Sequence, residues 1–342
     1  MHYYIFASKD SYISSGSNRT TGVSDTDRNF GQDQILEVKK EFFNDSFDYP
    51  TRALVQFDLT PISESVANGT ITNPSYFLRL YEAEGNQELT LDYKISVQAI
   101  SQSWDEGVGK GSDNPKTTNG CSWENSINKP GITATTWSNA DGSPSYGGSI
   151  STTASSSFQS FSNQSPDINV NITNTVDQMI SGTIENHGFL LGFSGSQETD
   201  STTFGQLKFF SKQSHTIFSP KLEVRWDDSS FDSNVTGSLL SLNVTGTEDN
   251  YLYVKRLKDK YKETDKVKFR VGARKRYIQK TFSTSFHTVS QSYVPQTCGS
   301  YAIRDVATGE DIIPFSDFTK ISTDISGSFF TQWLNTFEPN RV

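Results

Sequence analysis

Residues 219–226 read SPKLEVRW, and this segment decides the fold class. Its apolar residues alternate with charged ones, which is the period-two pattern of a strand with one buried face. Two more apolar segments precede it, IENHGFLLGF at 184–193 and FGQLKFF at 204–210, each followed by a polar turn. Three strands this close together predict an antiparallel sandwich. The composition changes abruptly after Trp226, which we take as the end of a first domain.

The composition of the whole chain agrees with β structure. Of its 342 residues, 13% are aromatic and only 33% are hydrophobic, which suits many short strands in half-exposed sheets. Disordered chains are poor in aromatic residues, so disorder is not expected. The formal net charge is −9, which argues against general affinity for nucleic acid. No apolar run approaches the ~20 residues of a membrane span, so no membrane partner is expected.

Two β domains are expected from the strand patterns. A jelly-roll-like antiparallel β-sandwich occupies residues 1–226, a polar linker occupies 227–250, and a smaller immunoglobulin-like β-sandwich occupies 251–342. Further strand patterns cover residues 3–14, 35–39, 52–59, 76–82, 91–100, 239–244, 266–271, 304–314 and 329–334. The hairpin within 304–314 should turn at Thr308-Gly309. The fold class is therefore all-β.

One helix is expected in the first domain. A stripe of apolar residues recurs there at helical spacing, formed by Ile172, Val176, Met179 and Ile180. Asn174 is the predicted N-cap, and Gly182 is predicted to end the helix.

A long polar segment, residues 101–160, carries the aromatic side chains of greatest interest. These are Trp104, Trp123, Trp137 and Tyr146. Aromatic faces bind pyranose rings through apolar contact, so the four residues are candidates for carbohydrate binding. The alternative is that they anchor a long loop, or are buried against a neighbouring subunit. Asp105 and Glu106 are adjacent, and as strand neighbours they would point to opposite faces, which is poor geometry for a glycosidase.

Searches for metal, cofactor and catalytic motifs give one weak candidate. Alternate oxygen side chains could wrap a hard cation at Asp25, Asp27, Asn29 and Asp33, although the EF-hand positions are not matched. His187 is read as a structural histidine. Cys121 and Cys298 lie in different predicted domains, which argues against a disulfide framework. No nucleophile and base pattern is found, so we expect neither an enzyme nor a bound cofactor.

Charge is distributed unevenly along the chain. Residues 251–280 contain 12 Lys or Arg and 3 acidic residues, a net charge of +9, which leaves −18 for the remainder. This segment is either a solvated strand face or a docking surface for acidic protein, such as the first domain of a neighbouring copy. The predicted docking residues are Lys255, Arg256, Lys266, Lys268, Arg270, Arg274, Lys275 and Arg276, the last three at a turn after a strand.

Several segments of the first domain resemble the DNRLRE family, a jelly-roll-like β-sandwich of bacterial surface and phage proteins. The matching segments, in order, are residues 10–14, 29–31, 52–59, 78–81, 104–107, 188–191 and 220–224. A departure is Met179-Ile180, where such proteins often carry a tryptophan. Residues 266–282 and 300–315 look like modules in structural proteins of tailed phages, cyanophages in particular.

These resemblances imply a non-enzymatic component of a tailed-phage virion, in the neck or collar, the head vertex or the tail. The implied partners are other virion proteins, with several copies or a ring of this chain. The N-terminal residues 1–7 form a strand-like pattern and lack a basic n-region, so we expect no signal peptide and synthesis in the host cytoplasm. The alternative is a carbohydrate-binding adhesion module, with a surface glycan as its partner.

Overall fold

The computed structural model describes residues 1–16, 24–43, 46–84, 92–162, 167–232, 239–245, 249–277, 282, 284–286 and 289–335. The chain divides into two compact units. We call residues 5–67 and 75–223 the larger unit, and residues 1–4, 68–74 and 224–342 the smaller unit. The all-β prediction is confirmed, because most of the regular secondary structure consists of antiparallel sheets in a sandwich-like arrangement. The predicted domain boundaries at 226 and 250 stay predictions.

Fourteen strands lie wholly or mostly in the larger unit. They are β1 (His2–Ser14), β2 (Ile35–Phe43), β3 (Ser46–Phe57), β4 (Ser75–Leu80), β5 (Glu82–Glu84), β6 (Asp92–Ala99), β7 (Asn125–Ile127), β8 (Thr135–Ser138), β9 (Pro144–Ser145), β10 (Ser157–Ser162), β11 (Ile168–Asn171), β12 (Phe189–Phe193), β13 (Gly205–Phe210) and β14 (Lys221–Arg225). The helices are α1 (Thr60–Ala67), α2 (Thr173–Ile180) and α3 (Ser196–Thr199), with a 3-10 turn at Lys212–Ser214.

Strand β3 organises the main sheet. Its hydrogen-bonded strands run in the order β10-β6-β12-β3-β1-β14-β4-β11. In addition, β2 pairs with β3 and with β13, and β13 pairs with β5. The first half of β3 pairs with β2, whereas residues 51–57 pair with β1 and residues 53–55 with β12. Its apolar centre, Ala53 to Val55, is fully buried. One long strand thus joins two parts of the sheet.

Helix α2 confirms the predicted helix, and a capping motif at Gly182 ends it. The Gly182 amide donates to the Met179 carbonyl and the Thr183 amide to the Gln178 carbonyl, which is the Schellman pattern. Gly182 has a φ of 76°, which a residue with a side chain rarely adopts. The predicted N-cap at Asn174 is wrong, because the helix begins at Thr173 and the side chain of Asn171 accepts its amide hydrogen.

Helix α1 was not expected from the sequence. Asp58 caps it by accepting a hydrogen bond from the Thr60 amide at 3.0 Å, and Pro61 lies in its first turn, where proline is tolerated. Only Ile62 is buried. A helix with one apolar anchor leaves no periodic stripe to detect. No helix among the described residues is long and apolar enough to cross a membrane.

The smaller unit contains eight further strands. They are β15 (Leu240–Ser241), β16 (Asn250–Lys255), β17 (Lys266–Lys275), β18 (Ser292–Tyr293), β19 (Ile303–Arg304), β20 (Asp311–Ile313), β21 (Ser322–Asp324) and β22 (Gly327–Trp333). Six of them form one sheet in the order β15-β18-β17-β22-β21, and β16 also pairs with β17. The remaining two, β19 and β20, pair with each other. A small core forms where Leu242, Ala273, Val294 and Ile321 meet.

Strand β17 is longer than the sequence predicted. The alternation predicts a strand that ends at Val271, with a turn at Arg274, Lys275 and Arg276. The strand instead continues to Lys275, because β16 pairs with it from Arg270 to Lys275. The predicted turn is therefore wrong for Arg274 and Lys275.

Candidate functional site

Asn29 holds the loops of the larger unit together. Its side chain is fully buried, and its amide nitrogen donates to the carbonyls of Glu106 and Cys121 at 2.8 and 2.9 Å. Its oxygen accepts from the amides of Gly31 and Gly109 at 3.2 and 2.8 Å. All four hydrogen-bonding positions of the carboxamide are used. Asn29 thus fixes residues that lie about 80 to 90 positions further along the chain.

Gly107 allows the backbone to pass this close to Asn29. Its φ is 81°, and a Cβ atom there would lie 2.2 Å from the Asn119 carbonyl oxygen. Gly120 packs against Gly107 in the same way, with a φ of 119°. Both positions need glycine for conformation and for space.

Two of the tryptophans in the long loop are buried in the core, where they anchor the loop, and do not lie on the surface. Trp104 and Trp137 are 2% and 0% exposed, and both join a core cluster with Ile13, Leu54 and Leu190. Their indole nitrogens are satisfied by the carbonyls of His187 and Ser122, each at 2.8 Å. As carbohydrate-stacking candidates these two are wrong, because no sugar can reach a buried ring face.

The other two aromatic candidates lie nearer the surface. Trp123 is partly buried against the same core, and the guanidinium of Arg52 lies over its ring, 5.1 Å from the centroid. Tyr146 is 63% exposed. Gly147, the residue after Tyr146, packs directly on the Trp123 ring. The structure therefore leaves Tyr146 as the one exposed ring of the predicted four.

A cleft with a volume of about 450 Å³ lies next to the Asn29 anchor. We call it the 105–132 cleft; its lining residues are Asp105, Glu106, Gly107, Val108, Asn119, Lys129, Pro130 and Ile132. The Lys129 ammonium lies 3.2 Å from the Asp105 carboxylate. Val108 and Ile132 are 59% and 67% exposed. The cleft thus combines charged and amide groups with exposed apolar side chains.

Beneath the cleft lies a network of charged groups. The Glu106 carboxylate pairs with the Lys212 ammonium at 2.8 Å and accepts from the Asp10 amide at 3.1 Å. Lys9 donates to the Trp104 carbonyl at 2.9 Å, and burial lowers the pKa of its ammonium. These contacts fix the cleft floor to strand β1.

Asp10 is the most perturbed acid of this network. It is 1% exposed, and its Oδ2 accepts from the Lys212 amide at 2.6 Å. Burial raises its pKa to about 7, and the nearby Glu106 charge adds to that rise. Nothing in the sequence around Asp10 marked it as unusual, because its burial arises from loops far along the chain.

The prediction that Asp105 and Glu106 are strand neighbours pointing to opposite faces is wrong. Asp105 and Glu106 are not strand neighbours, since they lie in an irregular segment, and both line the same cleft. Their carboxylates nevertheless have different partners, Lys129 for Asp105 and Lys212 for Glu106. His187 pairs with Glu185 at 2.9 Å, while its carbonyl holds the Trp104 indole.

The weak cation candidate finds no support, because each of its four side chains has another partner. Asp25 pairs with Arg28, Asp27 with Lys116, and Asn29 with the loop amides and carbonyls. Asp33 accepts from the Tyr12 hydroxyl and the Gly111 amide. Across the described residues, no group of three or more His, Cys, Asp or Glu side chains could hold a metal ion.

A second cleft, of about 480 Å³, lies on the same unit and is lined by Tyr12, Gln32, Asp33, Gln34, Ile35, Glu37 and Lys110. Its Tyr12 ring stacks on Phe30, 4.2 Å between centroids, and so its apolar faces are used internally. This leaves the second cleft mainly polar and acidic.

Five of the predicted docking residues share one face of the small sheet. They are Lys255, Lys266, Lys268, Arg270 and Arg274. Lys275 lies on the opposite face, since it directly follows Arg274 in β17. Arg256 follows β16 with a φ of 51°, and Arg276 donates its amide to the Asp249 carbonyl. Whether any of them docks a protein stays a prediction.

Comparison with known proteins gives one family match. The model of carbohydrate-binding module family 96 matches residues 2–122, about a third of the chain. The chain has no match among the curated proteins. The matched range contains Asn29 and the cleft residues Asp105 to Asn119, whereas Lys129 to Ile132 lie beyond it. This similarity is compatible with the surface-glycan alternative. The resemblance to the DNRLRE family and to phage proteins stays a prediction.

Proposed function

We propose that the larger unit is a carbohydrate-binding module and that the 105–132 cleft is its glycan site. The observation that carries the proposal is the family match over residues 2–122, which includes Asn29 and one wall of that cleft. The burial of Trp104 and Trp137 moves the expected site away from the ring faces first considered. The 105–132 cleft, whose lining begins at the residue after Trp104, is the surface proposed instead.

The chemistry of the cleft suits a sugar. Sugar hydroxyls both donate and accept hydrogen bonds, and the Asp105 carboxylate, the Asn119 carboxamide and the Lys129 ammonium supply both kinds of partner. Val108, Pro130 and Ile132 offer apolar surface for the C–H face of a pyranose. Small-molecule sites are commonly about 300–1,000 Å³, and the cleft, at about 450 Å³, falls in this range.

The floor of the cleft is preorganised. Asn29 fixes the Glu106 and Gly109 backbone, and Lys9 fixes the Trp104 carbonyl. A site that is already ordered loses less conformational entropy on binding, so more of the contact energy appears as affinity.

We propose binding without hydrolysis. An enzyme of this type needs two carboxyl groups free to act on the same glycosidic bond. Asp105 and Glu106 are each paired with a different lysine, which supports a recognition role.

Isothermal titration calorimetry of the full chain against a panel of soluble polysaccharides, chosen by a glycan array, tests the proposal. Lys129→Met and Ile132→Ser should each weaken binding about tenfold, since each removes one cleft contact worth about 1.4 kcal/mol. Lys110→Met, in the second cleft, is the matched control and should bind as wild type. Binding unchanged in both cleft variants, or lost in the control, would contradict this site.

The place of such a module in a virion is a separate prediction. No observation on the larger unit bears on it, and the family match supports the glycan alternative over the virion role. Mass spectrometry of purified particles checks it, and absence of the chain from intact virions would remove both the structural role and the virion location.

A further inference from the structure

One face of the small sheet combines cations and aromatic rings. Alternate residues of three adjacent strands share it, as the pairing registers of β16 with β17 and of β17 with β22 require. We call these residues the cationic face; they are Tyr251, Tyr253, Lys255, Lys266, Lys268, Arg270, Arg274, Phe329 and Trp333. The composition matches protein-interface hot spots, which are rich in Trp, Tyr and Arg.

The cations of this face lie over its rings. The Lys268 ammonium is 3.6 Å from the centroid of Phe329, and the Arg274 guanidinium is 4.7 Å from that of Tyr251. Tyr253 lies flat on Gly272, where a Cβ atom would be 2.4 Å from the ring carbon Cζ. The Asp324 carboxylate pairs with both Lys268 and Arg270, so the positive charge of this face is carried mainly by Lys255, Lys266 and Arg274. Charge and apolar area are thus interleaved on this face.

The edge beside this face is also exposed and apolar. Among the described residues, β16 pairs with β17 alone. Its other face presents Leu252 and Val254, which are 54% and 44% exposed, and Leu257 follows the strand and is exposed too. Only Lys255 is charged within β16. Edge strands are usually protected by charges or covered, so an edge of this kind indicates a protein partner.

The partner must be acidic, and the chain itself supplies such a surface. Residues 251–280 carry a net charge of +9, whereas the sequence of the larger unit has 14 basic and 25 acidic residues, a net charge of −11. Pairing two cationic faces with each other would bring like charges together. Nucleic acid is disfavoured, because the acidic larger unit repels phosphate.

We propose that the cationic face and the β16 edge dock the acidic larger unit of a second copy of this chain. Such a contact is heterologous, because two different surfaces meet, and it builds rings or open chains of subunits. The exposed carboxylates of Asp58 and Glu185 are the acidic counterpart. The Asn186 side chain donates to the Phe57 carbonyl at 2.8 Å, which brings together the chain segments that carry Glu185 and Asp58, and Glu185 also pairs with His187. The inference does not depend on glycan binding.

Sedimentation velocity of the full chain tests the inference. Wild type should associate with rising concentration at about 0.1 M salt and dissociate at about 1 M, where the Debye length falls from about 10 to about 3 Å. The double variant Lys266→Glu with Arg274→Glu should associate at least tenfold more weakly. The matched control is the double variant Lys258→Glu with Lys260→Glu. It changes the net charge by the same amount as the cationic-face variant, but at positions outside the paired strands, and it should associate as wild type does.

A mixing experiment identifies the second surface. The double variant Asp58→Asn with Glu185→Gln removes the acidic charges, and Asn preserves the helix cap that Asp58 provides. It should also fail to associate alone. Mixed with the cationic-face variant, it should form 1:1 dimers that do not grow, because each variant retains one intact surface.

Three outcomes overturn the inference. The first is a wild-type chain that stays monomeric at every concentration at low salt. The second is equal weakening by the cationic-face variant and by the Lys258 and Lys260 control, which leaves net charge as the cause. The third is a monomeric chain whose cationic face binds single-stranded DNA or an anionic polysaccharide, with that binding lost in the cationic-face variant.

Discussion

Replacement of Asn29 by aspartate tests whether one side chain holds the cleft loops together. The two residues have the same shape, so packing is unchanged. The carboxylate keeps both acceptor contacts, to the Gly31 and Gly109 amides, but loses the two donors that reach the Glu106 and Cys121 carbonyls. Two buried carbonyl oxygens then face a negative oxygen in place of an N–H group.

The cost follows from counting these groups. Each buried acceptor left without a donor costs about 1–3 kcal/mol, so Asn29→Asp should lower the free energy of unfolding by about 2–6 kcal/mol. That is a large share of the ~5–15 kcal/mol typical of a domain. The loss should shrink at acidic pH, because a protonated carboxyl regains one donor. Glycan affinity should fall as well, since the cleft floor loosens.

Urea unfolding followed by tryptophan fluorescence measures the effect, because Trp104 and Trp137 are buried beside the affected loops. Asn139→Asp is the matched control, since the same change is made at an exposed turn. The control should shift stability by less than about 0.5 kcal/mol. A loss at Asn29 no larger than at Asn139, at neutral pH, would refute the assignment of Asn29 as the loop anchor.

Three further expectations follow. Gly107→Ala should destabilise the fold by more than about 3 kcal/mol. Gly142→Ala is the control, since Gly142 has the same φ of 81° but open space around it, and it should cost only about 1–2 kcal/mol. Equal losses of stability in thermal unfolding would show that close packing at Gly107 contributes nothing. Asp10 has a folded pKa of about 7 against an ordinary 3.8, so between these values the native state binds more protons than the unfolded chain. Wild-type stability should therefore fall from about pH 4 to pH 7 and level off above that. The variant Asp10→Asn should show a smaller fall and should be more stable than wild type at pH 8. A wild-type free energy of unfolding that stays constant across pH 5–8 would contradict the raised pKa of Asp10. Incubation with polysaccharides should release no reducing ends, and release abolished by Asp105→Asn or Glu106→Gln would reveal a catalytic site.

Much of the fold could be predicted from the sequence because strand periodicity is a local signal. β6 and β14 alternate apolar and polar residues over consecutive positions, so each strand is visible without its neighbours. Helix α2 was visible for the same reason, through its stripe and through Gly182. Helix α1 has a single buried residue, and its formation depends on capping by Asp58, which leaves little periodic trace.

The site was harder to predict because burial is not local. The sequence marked the tryptophans of the long loop but could not decide between a sugar platform and a loop anchor. That choice depends on β1, β3 and β12 meeting the loop from distant parts of the chain. Asp25, Asp27, Asn29 and Asp33 place oxygen side chains at alternate positions, yet each has another partner, Arg28 for Asp25 and residues far along the chain for the other three.

The sequence by itself determined the all-β class, most strand positions and the +9 charge of residues 251–280, since each is a property of neighbouring residues. Only the tertiary structure decided which of those cations act together. The register of β16 with β17, and of β17 with β22, puts Lys255, Tyr251 and Trp333 on the face of β17 that carries Lys266 and Arg274. Hydrogen bonds between strands far apart in the chain fix that register, so no local pattern contains it.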